Sequence, residues 1–243
     1  MNSKNVVTIM DIGFVNKTKE EFLRDCVKPR LENEEKCFIV TANPEIVMKA
    51  REDQAYKEVI QEADYVIPDG IGIVKAAGWM KQPLKERIAG FDLVVDLLQY
   101  ANERGLSCYF LGAQAHVNEK AVAAVRKEYP NVTIAGNHHG FFDLDDLSIV
   151  EAVKESNADI VLVALGLPRQ ELWINQHYHH FHKGVFIGVG GTLDGLAGDV
   201  PRAPKIWIKL NLEWLYRIIK QPSRIKRIGK VFEFMLRVLV KKS

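Results

Sequence analysis

Short apolar runs rich in β-branched and aromatic residues alternate with longer amphipathic segments along the first 200 residues. Runs of this kind are typical of buried strands, and the segments between them are long enough for helices. The predicted strands cover residues 6–12, 37–41, 65–67, 107–111, 132–135, 160–165 and 185–189. Strands that alternate with helices form mostly parallel sheets, so the pattern predicts an α/β, Rossmann-like fold with helices flanking the sheet.

Residue types at the segment ends predict where several helices begin. The T-K-E-E sequence from Thr18 is a capping box, and the helix that it opens is expected to run to about Leu31. Asn43 precedes Pro44, a pair typical of an N-cap followed by a first helical turn. This second helix is expected to continue towards residue 62, with a break near Asp53.

Charge divides the chain near Val200. Residues 201–243 contain twelve Lys or Arg and two acidic residues, a net charge of +10, whereas residues 1–200 carry a net charge of −8. We therefore expect an α/β domain over residues 1–200 and a basic helical appendage over residues 201–243. Such an appendage favours an anionic partner, which could be a membrane surface, a nucleic acid or a phosphorylated substrate.

Apolar residues of the appendage recur at spacings of three and four, which places them on one face of a helix. They are Ile225, Ile228, Phe232, Met235, Leu236 and Leu239. A basic amphipathic helix suits an anionic bilayer surface, and its alternatives are docking on the core or burial in a homo-oligomer interface. No nucleic acid is expected as a partner, because the apolar face is continuous and no recognition motif occurs.

The bulk composition is that of an ordinary globular protein, 47% hydrophobic and 26% charged. No apolar run approaches the length that spans a bilayer, and the first residues lack the apolar stretch of a signal peptide. Cys26, Cys37 and Cys108 lie far apart without C-x-x-C spacing, which indicates reduced core thiols. These features predict a cytoplasmic protein.

Residues 65–72, Y-V-I-P-D-G-I-G, combine the end of a predicted strand with a glycine-containing turn. Pro68 ends the strand because it has no N–H for the ladder, and Gly70 and Gly72 allow a ligand to approach the backbone. Ligands of open α/β sheets lie beyond the carboxyl ends of the strands, where Asp69 would suit a general base. The alternative is that Asp69 only caps the next helix.

Two patterns that resemble metal sites have simpler explanations. Asp143 and Asp145 form a D-x-D sequence, but they stand at the predicted start of a helix, where acidic side chains favourably meet the helix dipole. The histidines between His177 and His182 are too close in sequence to converge on one tetrahedral ion, and no cysteine lies nearby, so they are interpreted as a solvated helix end. We therefore predict no metal site.

Seven motifs spread over the chain together resemble one family. They are T-A-N-P-E (41–45), P-D-G-I-G (68–72), R-I-A-G-F-D-L (87–93), G-L-P-R-Q-E-L-W (166–173), G-V-G-G-T-L-D (188–194), R-A-P (202–204) and L-E-W-L-Y-R (212–217). In this combination they are similar to the bacterial WecG/TagA/CpsF glycosyltransferases, and the similarity covers essentially the whole chain.

The resemblance implies transfer of a sugar from a UDP-sugar donor to a lipid-linked precursor at the inner face of the cell membrane. The TagA branch implies N-acetylmannosamine from UDP-N-acetylmannosamine, added to undecaprenyl-diphosphate-linked N-acetylglucosamine for wall teichoic acid. Relatives that add N-acetylmannosaminuronic acid or glucuronic acid to other lipid-linked precursors are the alternative, and an inactive scaffold is a further one. The resemblance implies no metal or other cofactor.

On this resemblance Asp69 is the general base of a single, inverting displacement. The residues expected to bind substrate are Thr41, Asn43, Arg87, Gly112, Ala113, Phe141, Gln170, Gly190, Asp194, Arg217, Arg224 and Arg227. Backbone amides at Gly112 and Ala113 would approach the nucleotide, and Phe141 would stack on uracil unless it packs in the core. The three arginines of the appendage would meet the leaving diphosphate, so the appendage would both bind the membrane and complete the active site.

Overall fold

The structure covers the predicted α/β domain and the last helix of the appendage. This computed structural model describes residues 6–200 and 225–240, together with residues 203, 204, 206, 207, 215, 216 and 219. Of residues 225–228 it describes the backbone alone. Arg217 and Arg224 lie outside the described residues, as does the side chain of Arg227, so their contacts with a diphosphate stay predictions.

The first two strands form a hairpin outside the main sheet. β1 (Val6–Ile9) pairs antiparallel with β2 (Ile12–Val15), and Met10 and Asp11 between them have φ angles of 49° and 65°. A two-residue turn in which both residues have the left-handed backbone conformation matches the twist of the two antiparallel strands that it joins. The prediction of one strand over residues 6–12 is therefore wrong, because neither turn residue is a glycine or asparagine that would mark the turn.

Six further strands form a fully parallel sheet, which confirms the predicted fold class. They are β3 (Lys36–Ala42), β4 (Tyr65–Pro68), β5 (Ser107–Gly112), β6 (Thr133–His138), β7 (Ile160–Ala164) and β8 (Gly184–Gly188). Their order across the sheet is β4-β3-β8-β7-β5-β6. Because all six strands run in the same direction, their carboxyl ends meet at one edge of the sheet.

Helices cover both faces of this sheet. They are α1 (Lys19–Phe22), a π-helical turn (Leu23–Val27), α2 (Lys28–Glu32), α3 (Pro44–Glu52), α4 (Gln54–Glu62), α5 (Ile71–Trp79), α6 (Gly90–Arg104), α7 (Ala115–Glu128), α8 (Leu147–Glu155), α9 (Arg169–His177), a 3₁₀ turn (Tyr178–His180), α10 (Thr192–Leu196) and α11 (Ile225–Val240). The capping box at Thr18 and the break at Asp53, which caps α4, are both confirmed.

Alternate residues of β3 face opposite layers of the core, as the two-residue period of a strand requires. Phe38 and Val40 belong to the layer that contains α3, α4 and α9. Cys37 and Ile39 belong to the layer that contains α6 and α7. Residues at the end of this strand are therefore directed in turn to the two sides of the sheet.

The last helix, α11, packs on α3 and α5, the two helices that begin beyond the ends of β3 and β4. Phe234 and Val238 are buried in the same core layer as α3. Lys230 forms an ion pair with Glu52 at the end of α3. The appendage helix is therefore docked on the α/β domain, which was one of the alternatives that the sequence left open.

The docked face differs from the apolar face that the spacing predicts. Phe234 and Val238 make the buried contact, whereas Phe232, Leu236 and Leu239 of the predicted face are 69%, 62% and 46% exposed. α11 therefore carries apolar residues on two sides, one docked on the core and one exposed, and binding of the exposed side to a membrane stays a prediction. Among the residues that the structure describes, no helix has both the length and the apolar character to cross a membrane.

The core also encloses the carboxylate of Glu171 on α9, the one fully buried acidic side chain in the described part of the chain. The Tyr56 hydroxyl donates a hydrogen bond to Glu171 Oε2 at 3.0 Å, and Gln170 Nε2 donates to Glu171 Oε1 at 2.6 Å. Loss of hydration raises the pKa of Glu171 to about 7. The core therefore holds a group whose charge changes near neutral pH.

This burial predicts that stability falls as the pH rises. The folded-state pKa of Glu171, about 7, lies above the ordinary value of 4.5, so the folded protein binds more protons between these pH values than the unfolded chain does. At about 1.4 kcal/mol per pKa unit, the contribution of Glu171 to the fall is about 3 kcal/mol. Urea unfolding at pH 5 and pH 8 measures the fall. The Glu171→Gln variant should lose most of it, and an unchanged pH dependence in that variant would contradict the prediction.

Candidate active site

Asp69 lies at the edge of the sheet where the carboxyl ends of β3 and β4 meet. Its backbone N–H donates to Ala42 O at 2.9 Å and to Ile67 O at 3.0 Å, which continues the pairing of the two strands. The next helix begins at Ile71 with Gly70, at φ 103°, as its N-cap residue. Asp69 therefore lies one residue before the N-cap position of α5.

The carboxylate of Asp69 faces the first turn of α6 at Gly90. A Cβ atom added to Gly90 would lie 3.5 Å from Asp69 Oδ2 and 3.2 Å from Thr41 Cγ2. Glycine therefore lets this helix approach both side chains closely. The arrangement places a half-buried carboxylate and a threonine side chain against the same helical turn.

Arg87 lies in the loop before α6, which passes the end of β4. The N–H of Ile88 donates to Pro68 O at 3.0 Å, which pairs this loop with the residue just before Asp69. Arg87 is half-buried there. The loop that carries Arg87 thus lies beside the strand end that carries Asp69, although the two residues are 18 positions apart in the chain.

Thr41 and Asn43, at the end of β3, complete this group. The Thr41 hydroxyl is buried and donates to Gly188 O, at the end of β8, at 2.7 Å. Asn43 Oδ1 accepts from the N–H groups of Glu45 and Ile46 at 2.9 and 3.1 Å, so Asn43 caps α3 as predicted. Both side chains therefore fix the shape of this edge, and their contacts with a substrate stay predictions.

Gln170 and Gly190 are held together at the end of β8. The N–H of Gly190 donates to Gln170 Oε1 at 3.0 Å, while Gln170 Nε2 donates to Glu171. Gln170 is buried, and both ends of its amide are used within the protein. Gly190 has φ 51°, and a Cβ atom added to it would meet nothing within 4 Å, so this turn borders open space.

Asp194 lies in the first turn of α10, which packs on the start of α6. A Cβ atom added to Gly195 would lie 2.7 Å from Phe91 Cε2, so the two helices touch at this glycine. Phe91 follows directly on Gly90, the residue that Asp69 faces. Packing therefore brings the Asp194 segment to the same corner of the sheet edge.

Gly112 and Ala113, at the end of β5, both contact the end of β7. The Ala113 N–H donates to Ala164 O at 2.9 Å, and an approach of Gly112 and Ala113 to a nucleotide stays a prediction. A Cβ atom added to Gly112 would lie 2.4 Å from the Ala164 carbonyl carbon. Glycine is thus required at this position for the close approach of β7.

Phe141 follows β6 and is 70% exposed, which excludes the alternative of core packing. Gly140 beside it donates its N–H to Ala113 O at 2.8 Å, so this loop folds over the end of β5. β5 stands four strand positions from β4, about 19 Å at the usual spacing between strands. The predicted residues therefore form two groups on one edge, one around Asp69 and one around Phe141.

Two buried polar residues that support this edge escaped the sequence analysis. Asn118 on α7 donates to the carbonyls of Phe110, Gly112 and His138 at 2.9–3.0 Å and so fixes the ends of β5 and β6. Glu171 supports Gln170 from below. Asn118 carries no local signal in the sequence, whereas Glu171 stands inside a family motif where it looks like an ordinary helix residue.

No group of three or more metal-ligating side chains occurs among the residues that the structure describes. Asp146 caps α8, its Oδ1 accepting from Ser148 N–H at 2.9 Å, which places the helix start three residues after Asp143. His177 is buried, with its Nε2 2.8 Å from Leu144 O. The D-x-D segment thus lies just before a helix that Asp146 caps, whereas the interpretation of the histidines as a solvated helix end is wrong for His177, because its ring packs in the core.

Comparisons with known proteins connect this edge to a family. The sequence model of the glycosyl transferase WecG/TagA/CpsF family matches residues 7–243. Relatives from Staphylococcus aureus strains MW2, NCTC 8325 and COL are 40% identical over 234 residues, which is 96% of this chain and 91% of each relative. All three carry the name N-acetylglucosaminyldiphosphoundecaprenol N-acetyl-beta-D-mannosaminyltransferase. A match that runs through every described strand and helix shows that the chain belongs to the WecG/TagA/CpsF glycosyltransferase family.

Proposed function

We propose that this protein transfers N-acetylmannosamine from UDP-N-acetylmannosamine to undecaprenyl-diphosphate-linked N-acetylglucosamine. The product would be the β-1,4-linked disaccharide of the wall teichoic acid linkage unit. The name of the relatives supports the reaction, because the similarity extends over 96% of this chain. The observation that carries the mechanism is the carboxylate of Asp69 at the carboxyl end of β4, against the first turn of α6 and next to the loop that carries Arg87.

In this mechanism Asp69 takes the proton from the acceptor hydroxyl as its oxygen attacks the anomeric carbon of the donor. The bond between that carbon and the diphosphate oxygen breaks on the opposite face, so the configuration inverts and UDP leaves. A half-buried carboxylate at the sheet edge suits this role, because it is reachable by a hydroxyl yet partly shielded from water. Arg87, from the neighbouring loop, would meet a sugar or diphosphate oxygen.

The donor would lie along the edge of the sheet. Phe141 presents an exposed ring on the loop over the end of β5, a strand about 19 Å from β4, and a nucleotide sugar is an elongated ligand. Its uracil would stack on Phe141 while its sugar reaches Asp69. Asp194, beside the first turn of α6, would accept from donor hydroxyls. Gly190 borders open space between the two groups, which leaves room for a donor that extends from one group to the other.

Charge that develops on the leaving diphosphate needs cationic partners. The proposal assigns this task to Arg217, Arg224 and Arg227 of the appendage and includes no metal. α11 packs on α3 and α5, which both begin at the group around Asp69, so the appendage is attached to the helices nearest the proposed base. This attachment supports the hypothesis that the appendage completes the active site.

Replacement of Asp69 by Asn should lower kcat by about 10²–10⁴-fold, the usual contribution of a general base. The amide has nearly the same shape but cannot accept the proton. Turnover would be followed by mass spectrometry of the product formed from a panel of UDP-sugars and a short-chain lipid-diphosphate-N-acetylglucosamine acceptor, which also identifies the donor. Asp25→Asn is the matched control, since Asp25 lies in an exposed ion pair with Lys17 on the π-helical turn, outside the two groups, and its replacement should leave kcat unchanged. An Asp69→Asn variant with wild-type kcat would exclude Asp69 as the base.

The exposed face of α11 supports attachment to the membrane. Phe232, Leu236, Leu239 and Val240 are all at least 46% exposed and follow one another at helical spacing. Leu236 and Val240 also border a groove of about 600 Å³ between α11, the β1–β2 turn and the junction of α3 and α4. Basic residues of this groove are Arg51, Lys57 and Arg237, of which Lys57 pairs with Asp11 and Arg237 with Glu233. Apolar side chains beside cations suit an anionic lipid surface at the cytoplasmic face of the cell membrane.

The double variant Phe232→Ser/Leu236→Ser should bind phosphatidylglycerol vesicles at least about tenfold more weakly, since each buried apolar side chain contributes about 1.5–3 kcal/mol. Vesicle flotation measures the binding. Leu147→Ser is the matched control because Leu147, on α8, is 63% exposed. Unchanged vesicle binding would contradict the proposed contact. Sedimentation of the same variants shows whether the face instead joins two copies of the chain.

A further inference from the structure

A continuous chain of hydrogen bonds links α4 to the candidate active site through the protein core. The Tyr56 hydroxyl donates to Glu171 Oε2 at 3.0 Å, and Gln170 Nε2 donates to Glu171 Oε1 at 2.6 Å. The N–H of Gly190 then donates to Gln170 Oε1 at 3.0 Å. Glu171 is 0% and Gln170 4% exposed, so water does not replace these contacts.

This chain fixes which way the Gln170 amide faces. Only the amide oxygen can accept from the N–H of Gly190, and only the amide nitrogen can donate to the Glu171 carboxylate. Rotation of the amide by half a turn would set its NH2 group against the Gly190 N–H, where neither group accepts, and its oxygen against the carboxylate, where neither group donates. A buried polar group that loses its partner costs about 1–3 kcal/mol, so the carboxylate selects one orientation.

The orientation matters because Gln170 lies directly under β8. A Cβ atom added to Gly188 would lie 2.8 Å from Gln170 Nε2. On the other side of the strand end, Thr41 donates to Gly188 O at 2.7 Å. Thr41 in turn stands against Gly90, which Asp69 Oδ2 also faces. The turn after β8 is thus held by Gln170 on one side and by the residues around Asp69 on the other.

We infer that Glu171 is a positioning residue for the donor sugar nucleotide. Through the Gln170 amide it holds the Gly188–Gly190 turn in the conformation that leaves the edge of the sheet open to the ligand. Glu171 touches no substrate in this assignment. The role rests on the proposed function, because the ligand at this edge is the donor of that reaction.

An exchange of the two residue types tests this role. Gln170→Glu alone places two carboxylates against each other with no N–H between them. Gln170→Glu/Glu171→Gln rebuilds the whole chain: the new carboxylate at position 170 accepts from Gly190, the new amide at position 171 donates to that carboxylate, and its oxygen accepts from Tyr56. At pH 8 we expect Gln170→Glu to lower kcat/KM for UDP-N-acetylmannosamine by about tenfold or more, mainly through KM. The double variant should recover to within about threefold of wild type.

Gln176→Glu is the matched control for this exchange. Gln176 lies on the same helix, and its Nε2 likewise donates to a carboxylate, that of Asp145, at 2.6 Å. It is exposed and has no contact with the turn after β8, so the same substitution should leave kcat/KM unchanged. A loss in the control equal to that of Gln170→Glu would show a general effect of the added charge and overturn the inference.

Hydrogen exchange of the Gly190 amide, followed by NMR, gives a second measurement that needs no turnover. This amide should be protected in the wild type and the double variant and exchange about tenfold faster in Gln170→Glu. Equal protection in all three proteins, or no recovery in the double variant, overturns the inference even when wild-type turnover confirms the proposed function. If Gln170→Glu does not fold, the double variant alone is measured. It should fold and show wild-type protection of the Gly190 amide. An unprotected Gly190 amide in the double variant would overturn the positioning role of Glu171.

Discussion

Parallel pairing of β3 with β4 on one side and β8 on the other is the constraint on which the candidate active site depends. The register sets Ala42 opposite Pro68 and Val40 opposite Gly188. Strands in a sheet lie about 4.8 Å apart, so the turns that follow these three strands are immediate neighbours. A slip by one residue would direct each side chain to the opposite face, and Thr41 would then lose both Gly188 and Gly90.

Close approach between elements is the second condition, and glycine provides it at the positions that matter most. Gly90 allows α6 to reach Thr41 and Asp69, and Gly188 allows Gln170 to lie under β8. Buried amides and one buried carboxylate then hold the turns in place. The edge therefore combines a rigid support below the strands with open space above them, where an elongated ligand has room to lie.

The appendage lies near this edge because its last helix packs there, although the two are far apart along the chain. Phe234 and Val238 of α11 enter the core layer of α3, and Met235 Sδ would lie 3.9 Å from a Cβ atom added to Gly72. α3 and α5 carry their first turns at the group around Asp69. A membrane that binds the exposed face of α11 would thus act on the helices closest to the proposed base.

Local signals in the sequence were sufficient for much of this structure. Apolar runs marked the six parallel strands, the capping residues Thr18 and Asn43 marked helix starts, and the turn at Pro68–Gly70 marked Asp69 as a candidate base. Each of these signals depends on residues close together in the chain, so one sequence is enough to detect it. The reaction was predicted from the family motifs.

Strand order was decided by tertiary structure alone. It joins the end of β8 to that of β3 and sets the end of β5 about 19 Å from Asp69. Long-range packing also decided that Glu171 is buried with Tyr56 and that α11 docks through Phe234 instead of Phe232. The physical reason is the same in each case. Which surfaces meet depends on contacts between segments far apart in the chain, and the periodicity of one segment does not indicate which other segment packs against it.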